Sequence, residues 1–277
     1  MKLLYGKPVA DKILDNLKAE ISKETVKPGL AVILVGDDKA SHIYVNLKEK
    51  KAQEIGMNFF RFDLLKNVTQ GEIIERIEML NNDRMVNGII VQLPLPEGFD
   101  TEKIITSIDP KKDADGFHLE NTKKFLFGKG DIWPVFPRAI VSLLESSKED
   151  IVGKKAIVVA NSQEFGSIMV AALNQKGLEA EYVISNDISS NLGKIEGADV
   201  VVSAVGSPGL LKGQMFKSGS IVIDGGIEKV GEQVFGDVDF GSTEGLSGFI
   251  TPVPGGVGPL TIACLLENTY LAFRNQP

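Results

Sequence analysis

Apolar positions recur along this chain in two alternating rhythms. Pro8–Glu24 repeats at helical spacing, and Gly29–Val35 (GLAVILV) follows as a short unbroken apolar run suited to a buried strand. Helical spacing returns over His42–Ile55, strand character over Phe59–Leu65, and helical spacing again over Thr69–Asn81. Thr69 and Glu72 have the spacing of a capping box. Gly88–Gln92 (GIIVQ) reads as another buried strand, ended by LPLP, and Glu102–Ile108 as a short helix. Repeated β–α units of this kind predict a parallel sheet flanked by helices.

Lys111–Trp133 is polar and irregular and reads as a hinge. After a helix at Arg138–Ser146 a second series begins, with strands at Lys155–Val159, Glu181–Ile184, Val200–Ala204 and Ser220–Asp224 and a helix at Ser167–Lys176. The last helix, Pro259–Phe273, follows ITPVPGGVGP and is expected to cross back to the first domain. The expected fold class is α/β with two domains. One spans 1–132 plus 256–277; the other, 133–255, is a Rossmann-like dinucleotide-binding domain.

Composition narrows the function classes. A length of 277 residues fits two domains. The net charge of −7 argues against general nucleic-acid binding, which needs a basic footprint. Cys264 is the single cysteine, so no internal disulfide forms and a reducing cytoplasm is the expected setting. With only His42 and His118 besides, no zinc-type spacing exists, and no metal is expected. Asp11 and Asp15 interrupt the region where a signal peptide would be apolar, and no run is long enough to span a bilayer.

Candidate chemistry falls where parallel strands end. Tyr44 and Lys48 stand four residues apart and share one helical face. That places a ring and an amine together, although the same pattern fits an ordinary amphipathic helix. Gln92 ends its strand directly before two prolines, a position that suits a cleft or a solvated loop. In KKDADGFH, Asp113 and Asp115 fit a turn, and Asp115 also fits an acceptor for ring N–H and amino groups. Ala160–Gly166 (ANSQEFG) lies where a dinucleotide fold keeps its phosphate loop but lacks the G-x-G-x-x-G pattern. Asp187 follows the next strand, where an acid binds a ribose 2′-hydroxyl or is a simple loop residue. Pro252–Pro259 (PVPGGVGP) is stiff and turn-rich and fits a packed ligand loop better than a linker.

Five segments in order carry a family resemblance: Val35–Lys48 (VG-x3-AS-x2-YV-x2-K), GIIVQLPLP, P-x-KD-x-DGFH, GDVDF and TPVPGGVGP-x-T. Together they make the chain similar, nearly end to end, to the bifunctional methylenetetrahydrofolate dehydrogenase/methenyltetrahydrofolate cyclohydrolase family. The resemblance implies oxidation of 5,10-methylenetetrahydrofolate with NADP, then hydrolysis of the methenyl form to 10-formyltetrahydrofolate. It makes Lys48 the acid/base group, Gln92 its orienting partner, Tyr44 the residue stacked on the folate and Asp115 the grip on the pterin. Pro254, Gly255, Gly258 and Pro259 would line the folate side. Ala160, Asn161, Ser162, Gly166, Asp187, Gly206 and Ile227 would contact the cofactor. A homodimer is implied as well.

The chain departs from the family pattern in its cofactor loop. Asn161 stands where an arginine is usual and Ile168 where a proline is usual, while Glu164 and Asp187 add negative charge. Val135-Phe136 replaces the usual Cys-Thr before Pro137. The loop departures predict a weakened NADP preference, with NAD as the alternative cofactor, while Val135-Phe136 bears on the fine positioning of the folate or nicotinamide. A cyclohydrolase alone and a folate- or nucleotide-binding protein without turnover are the competing classes.

Overall fold

The computed structural model describes residues 1–231 and 233–276. In chain order, β1 (Lys2–Leu3) leads into α1 (Gly6–Lys23), β2 (Gly29–Val35), α2 (Lys39–Glu54), β3 (Asn58–Leu64) and α3 (Gln70–Asn82). Next come β4 (Gly88–Val91), α4 (Thr101–Ile105), α5 (Leu119–Leu126) and α6 (Val135–Ser146). The second series holds β5 (Lys155–Ala160), α7 (Gln163–Asn174), β6 (Glu179–Ile184), α8 (Leu192–Glu196), β7 (Val200–Ala204) and β8 (Ile221–Asp224). A hairpin of β9 (Glu228–Val230) and β10 (Gln233–Phe235), then β11 (Phe249–Ile250) and α9 (Val257–Asn275), complete the chain.

The chain divides into two compact units. The first comprises residues 11–135 and 262–277 and the second residues 1–10 and 136–261. The expectation of 1–132 in one domain therefore differs at the N-terminus. β1 lies parallel to β11, with Lys2 opposite Phe249, and this pairing ties the first residues to the second unit. The loop Pro252–Pro259 also falls in the second unit, since the division runs through α9 after Thr261.

In the first unit β2 is the central strand of a parallel sheet ordered β3-β2-β4. All seven residues of β2 are buried, as its unbroken apolar run requires. Ile73 and Ile77 of α3 join Ile33, Ile89 and Ile104 in a core cluster with no exposed surface. Each such side chain contributes about 1.5–3 kcal/mol by leaving water. The capping box at Thr69 and Glu72 forms: Glu72 Oε2 accepts from Thr69 N at 2.7 Å, and Thr69 Oγ1 from Glu72 N at 3.3 Å. The region expected to be an irregular hinge contains α5, an amphipathic helix of eight residues that buries Asn121 and Phe125.

The second unit is built on six parallel strands ordered β1-β11-β8-β7-β5-β6. The chain goes from β5 to β6 on one side, then returns to place β7 on the other side of β5. The switch point of this doubly wound sheet thus lies between the carboxyl ends of β5 and β7, where such folds bind ligands. Ile157, Val159, Val201 and Val222 form the core of one sheet face with Leu211 and Ile250. α7 begins at Gln163, so Gly166 lies inside its first turn rather than in a loop before a helix at Ser167. α9 likewise begins at Val257 and takes Gly258 and Pro259 into its first turn.

Candidate active site

In the first unit the site grows from the carboxyl ends of β2 and β4. After β2 the chain turns at Gly36, and Asp38 caps α2 by accepting from Ser41 N at 2.7 Å. α2 buries Ser41, Val45 and Ala52 and leaves Tyr44 and Lys48 half-buried, one turn apart on a neighbouring face. Gln92 continues from β4, and its N–H donates to Ile33 O at 2.8 Å. The two strands thereby bring residues 48 and 92 together: Lys48 Nζ donates to Gln92 Oε1 at 2.7 Å. Gln92 Nε2 in turn donates to Leu93 O at 2.7 Å, which fixes which end of the amide faces the lysine.

Asp115 arrives from a third direction. Ile89 N donates to Lys112 O at 2.7 Å and Ile89 bridges Asp113 in parallel, so the segment runs beside β4 like one more strand. Asp113 is buried, and its carboxylate accepts from the N–H groups of Gly116, Phe117 and His118 and from Asn121 Nδ2. It therefore shapes the turn and has little capacity left for a ligand. Asn268 of α9 donates to Ala114 O at 2.9 Å and to Trp133 O at 2.8 Å, clamping both ends of the same loop. His118 caps α5 through Nδ1, which accepts from Glu120 N at 3.1 Å.

Held in this way, Asp115 and Lys48 perturb each other. Burial pulls the Lys48 amine below the ordinary lysine range, and the Asp115 carboxylate opposes that shift. Burial pushes Asp115 up to about 6, against the favourable charge of Lys48 and with a further upward push from Asp113. A lysine lowered by burial, oriented by an amide and faced by an acid is suited to proton transfer near neutral pH.

The predicted cofactor residues lie at or after the carboxyl ends of β5, β6, β7 and β8 in the second unit. Ala160 ends β5, Asn161 follows exposed, and Ser162 caps α7 by accepting from Phe165 N at 3.2 Å. Gly166 allows α7 to approach β6, since a β-carbon there would stand 2.7 Å from Tyr182 Cγ. Asp187 lies on the 3₁₀ turn Ser185–Ser190 directly after β6, whose Ile184 pairs with Ala160. Gly206, in a left-handed conformation at φ +79°, lies next to the Ile227 carbonyl. A helix N-terminus at the switch point, glycine-mediated contact between α7 and β6, and an acid after β6 fit a dinucleotide.

Two aspartates that sequence reasoning did not single out support this end of the unit. Asp237, fully buried, accepts from Ser203 Oγ and from the N–H groups of Val205, Gly206 and Ser207 at 2.6–2.8 Å. Asp224 accepts from Gly226, Asp237 and Val238 N–H at 2.8–3.0 Å, and burial pushes it up to about 6. Asp224, Thr251 and Pro252 line a cavity of ≈ 560 Å³. The GDVDF segment was the available signal for Asp237, and the polar end of SIVID for Asp224. Pro254, Gly255, Gly258 and Pro259 are half-buried or exposed in this same unit, and Gly255 O accepts from Gly6 N at 2.9 Å. Among the described residues, no group of three His, Cys, Asp or Glu side chains is arranged to hold a metal. No helix among them is long and apolar enough to cross a membrane.

These features define a two-unit α/β protein with a partly buried cluster of Lys48, Gln92 and Asp115 and a dinucleotide-type sheet. Comparison with known proteins agrees. The family description "Tetrahydrofolate dehydrogenase/cyclohydrolase, catalytic domain" matches residues 4–115, and "Tetrahydrofolate dehydrogenase/cyclohydrolase, NAD(P)-binding domain" matches residues 134–277. The chain is 43% identical to the Bifunctional protein FolD of Acetivibrio thermocellus over 281 aligned residues, 99% of this chain and 98% of the relative. It superposes on the bifunctional FolD enzyme of Campylobacter jejuni with a TM-score of 0.94 at 38% identity, covering 99% of both chains. The Trypanosoma brucei FolD structure, a complex with NADP and an inhibitor, matches with a TM-score of 0.92 at 33% identity, over 98% of this chain and 97% of that one. The chain belongs to the tetrahydrofolate dehydrogenase/cyclohydrolase family.

Proposed function

We propose that this protein oxidises 5,10-methylenetetrahydrofolate to 5,10-methenyltetrahydrofolate with NAD(P) and hydrolyses the methenyl form to 10-formyltetrahydrofolate. The observation that carries the reading is the 2.7 Å Lys48–Gln92 hydrogen bond, formed by an amine that burial has made easier to deprotonate. In hydrolysis, water adds to the methenyl carbon and loses a proton; one carbon–nitrogen bond then breaks as its nitrogen takes a proton and the hydroxyl gives its own proton to solvent, leaving the formyl carbonyl. Unprotonated Lys48 accepts the first proton and can return the second. Gln92 holds the amine in line, Tyr44 stacks on the folate, and Asp115 accepts hydrogen bonds from the pterin ring. NAD(P), when bound, takes the hydride of the oxidation. The chain's part in that step is to hold and orient the two reactants rather than to move a proton. The setting this reading carries is a cytoplasmic homodimer acting in one-carbon metabolism, and sedimentation of the purified chain tests the dimer.

The chemical test is spectrophotometric. Methylenetetrahydrofolate is supplied with NADP or NAD, and methenyl hydrolysis is followed in the same samples with Lys48→Met as control. The expected result is cofactor reduction by the unmodified chain and a loss of hydrolysis of about 10²–10⁴-fold in the variant. Hydrolysis that survives the substitution overturns the role of Lys48. Hydrolysis without reduction of either cofactor restricts the chain to cyclohydrolase.

A further inference from the structure

An aromatic pair lies across the switch point of the second unit. Phe136, in the first turn of α6, and Phe165, in the first turn of α7, meet edge to face with ring centroids 5.6 Å apart and an interplanar angle of 65°. Both side chains are only half-buried. The tip of the Phe136 ring rests on Gly225: its Cζ lies 2.5 Å from where a β-carbon on that residue would stand. Gly225 follows β8 directly, and its N–H donates to Ser203 O of β7 at 2.7 Å. Phe165 follows β5. Because β7 lies between β8 and β5, a pair reaching from Gly225 to Phe165 crosses the carboxyl end of β7.

Physical considerations place a flat heterocycle beside it. In a doubly wound sheet the acid after the second strand holds the adenosine ribose, and here that acid is Asp187, after β6. The other half of the dinucleotide then extends over β7 and β8, toward Gly206, Ile227 and the two phenylalanines. Half-exposed aromatic rings at the ligand end of a sheet offer an apolar wall for a planar ring. We infer that Phe136 and Phe165 form the wall against which the nicotinamide ring of NAD(P) rests. The inference rests on the dinucleotide reading of this unit.

The test measures binding rather than turnover. Reduced dinucleotide, NADH or NADPH, is titrated against the full chain by nicotinamide fluorescence. ADP-ribose or its 2′-phosphate, which lack the nicotinamide, are titrated in parallel by calorimetry. Phe136→Leu keeps apolar bulk but removes the ring, and Phe136→Tyr keeps the ring. The expected result is that Leu weakens reduced-dinucleotide binding tenfold or more, Tyr restores it, and ADP-ribose binding stays within twofold in both. Equal weakening of dinucleotide and ADP-ribose assigns Phe136 a purely structural role and overturns the inference, as does dinucleotide binding that is unchanged or tightened in Phe136→Leu. An unmodified chain that binds neither probe, while hydrolysis persists, overturns the dinucleotide reading itself.

Discussion

Asp115 and Asp237 present the same side chain in two opposite employments. Asp237, in the second unit, is buried and saturated by four donors, three of them consecutive backbone N–H groups after β7. Its carboxylate is consumed in fixing the loop that carries Gly206. Asp115, in the first unit, is held by neighbours that grip its backbone and its turn, while its own carboxyl is left to face Lys48. The first arrangement uses burial plus hydrogen bonds to shape a binding surface. The second uses burial against a lysine to shift both groups away from their ordinary titration ranges. Saturated by hydrogen bonds, a buried carboxylate serves the scaffold; set against a lysine charge, it stays free to exchange a proton.

The contrast can be broken at several points. The largest effect is the loss of hydrolysis in Lys48→Met, described above, which leaves every donor to Asp237 in place. Next, Asp237→Ala strands buried donors and is expected to destabilise the fold by about 3 kcal/mol, since each unsatisfied group costs about 1–3 kcal/mol. Urea unfolding measures the loss. Hydrolysis per folded molecule should stay near the unmodified value, because Lys48, Gln92 and Asp115 belong to the first unit.

Asp115→Asn should separate stability from function. The folded carboxyl titrates at about 6 against an ordinary 3.8, so the folded state holds its proton more tightly than the unfolded chain does. That contribution to stability is fully present below about pH 4 and is lost as pH rises through about 6. Above this window the ionised carboxylate costs up to about 3 kcal/mol, from roughly two pKa units. The asparagine variant is therefore expected to unfold at higher denaturant than the unmodified chain at pH 8, with the gap closing toward pH 4. Its Lys48 should titrate still lower, because the opposing carboxylate charge is gone. An unchanged gap between pH 8 and pH 4 would contradict the shifted carboxyl.

The smallest effect concerns cofactor choice. No lysine or arginine occurs in residues 160–175 or 185–193, while Glu164 and Asp187 do. Asn161→Arg should tighten NADP binding by roughly 10–100-fold through a charge-assisted contact of about 1.5–3 kcal/mol, with little change for NAD. A variant whose ratio of the two dissociation constants does not move would show that Asn161 lies away from the 2′-position.

Much of this was legible from the chain alone, for identifiable reasons. Strands buried on both faces announce themselves as unbroken apolar runs, as GLAVILV and GIIV do. The i, i+4 spacing of Tyr44 and Lys48 gave their common side of α2. The supporting groups were not legible, because their partners are distant or local in ways periodicity does not register. Asn268 reaches carbonyls 154 and 135 residues earlier. α5 hid in a stretch whose lysines and asparagine masked its narrow apolar face. The two-residue strands β1 and β11 are too short to show an alternating pattern and exist by virtue of each other and β8.

That last pairing also governs when the protein can be finished. Met1 N donates to Leu246 O at 2.7 Å, and β1 waits for a partner about 250 positions downstream. The first unit waits as well, since Asn268 supplies its clamp from the final helix. During synthesis from the N-terminus both units therefore stay incomplete until residues 249–268 have been added. Contacts of such long sequence separation form slowly, and partly built sheets expose unpaired edges while they wait. The same closure makes α9 a checkpoint: a chain stopped before Asn268 lacks the clamp on the Asp115 loop.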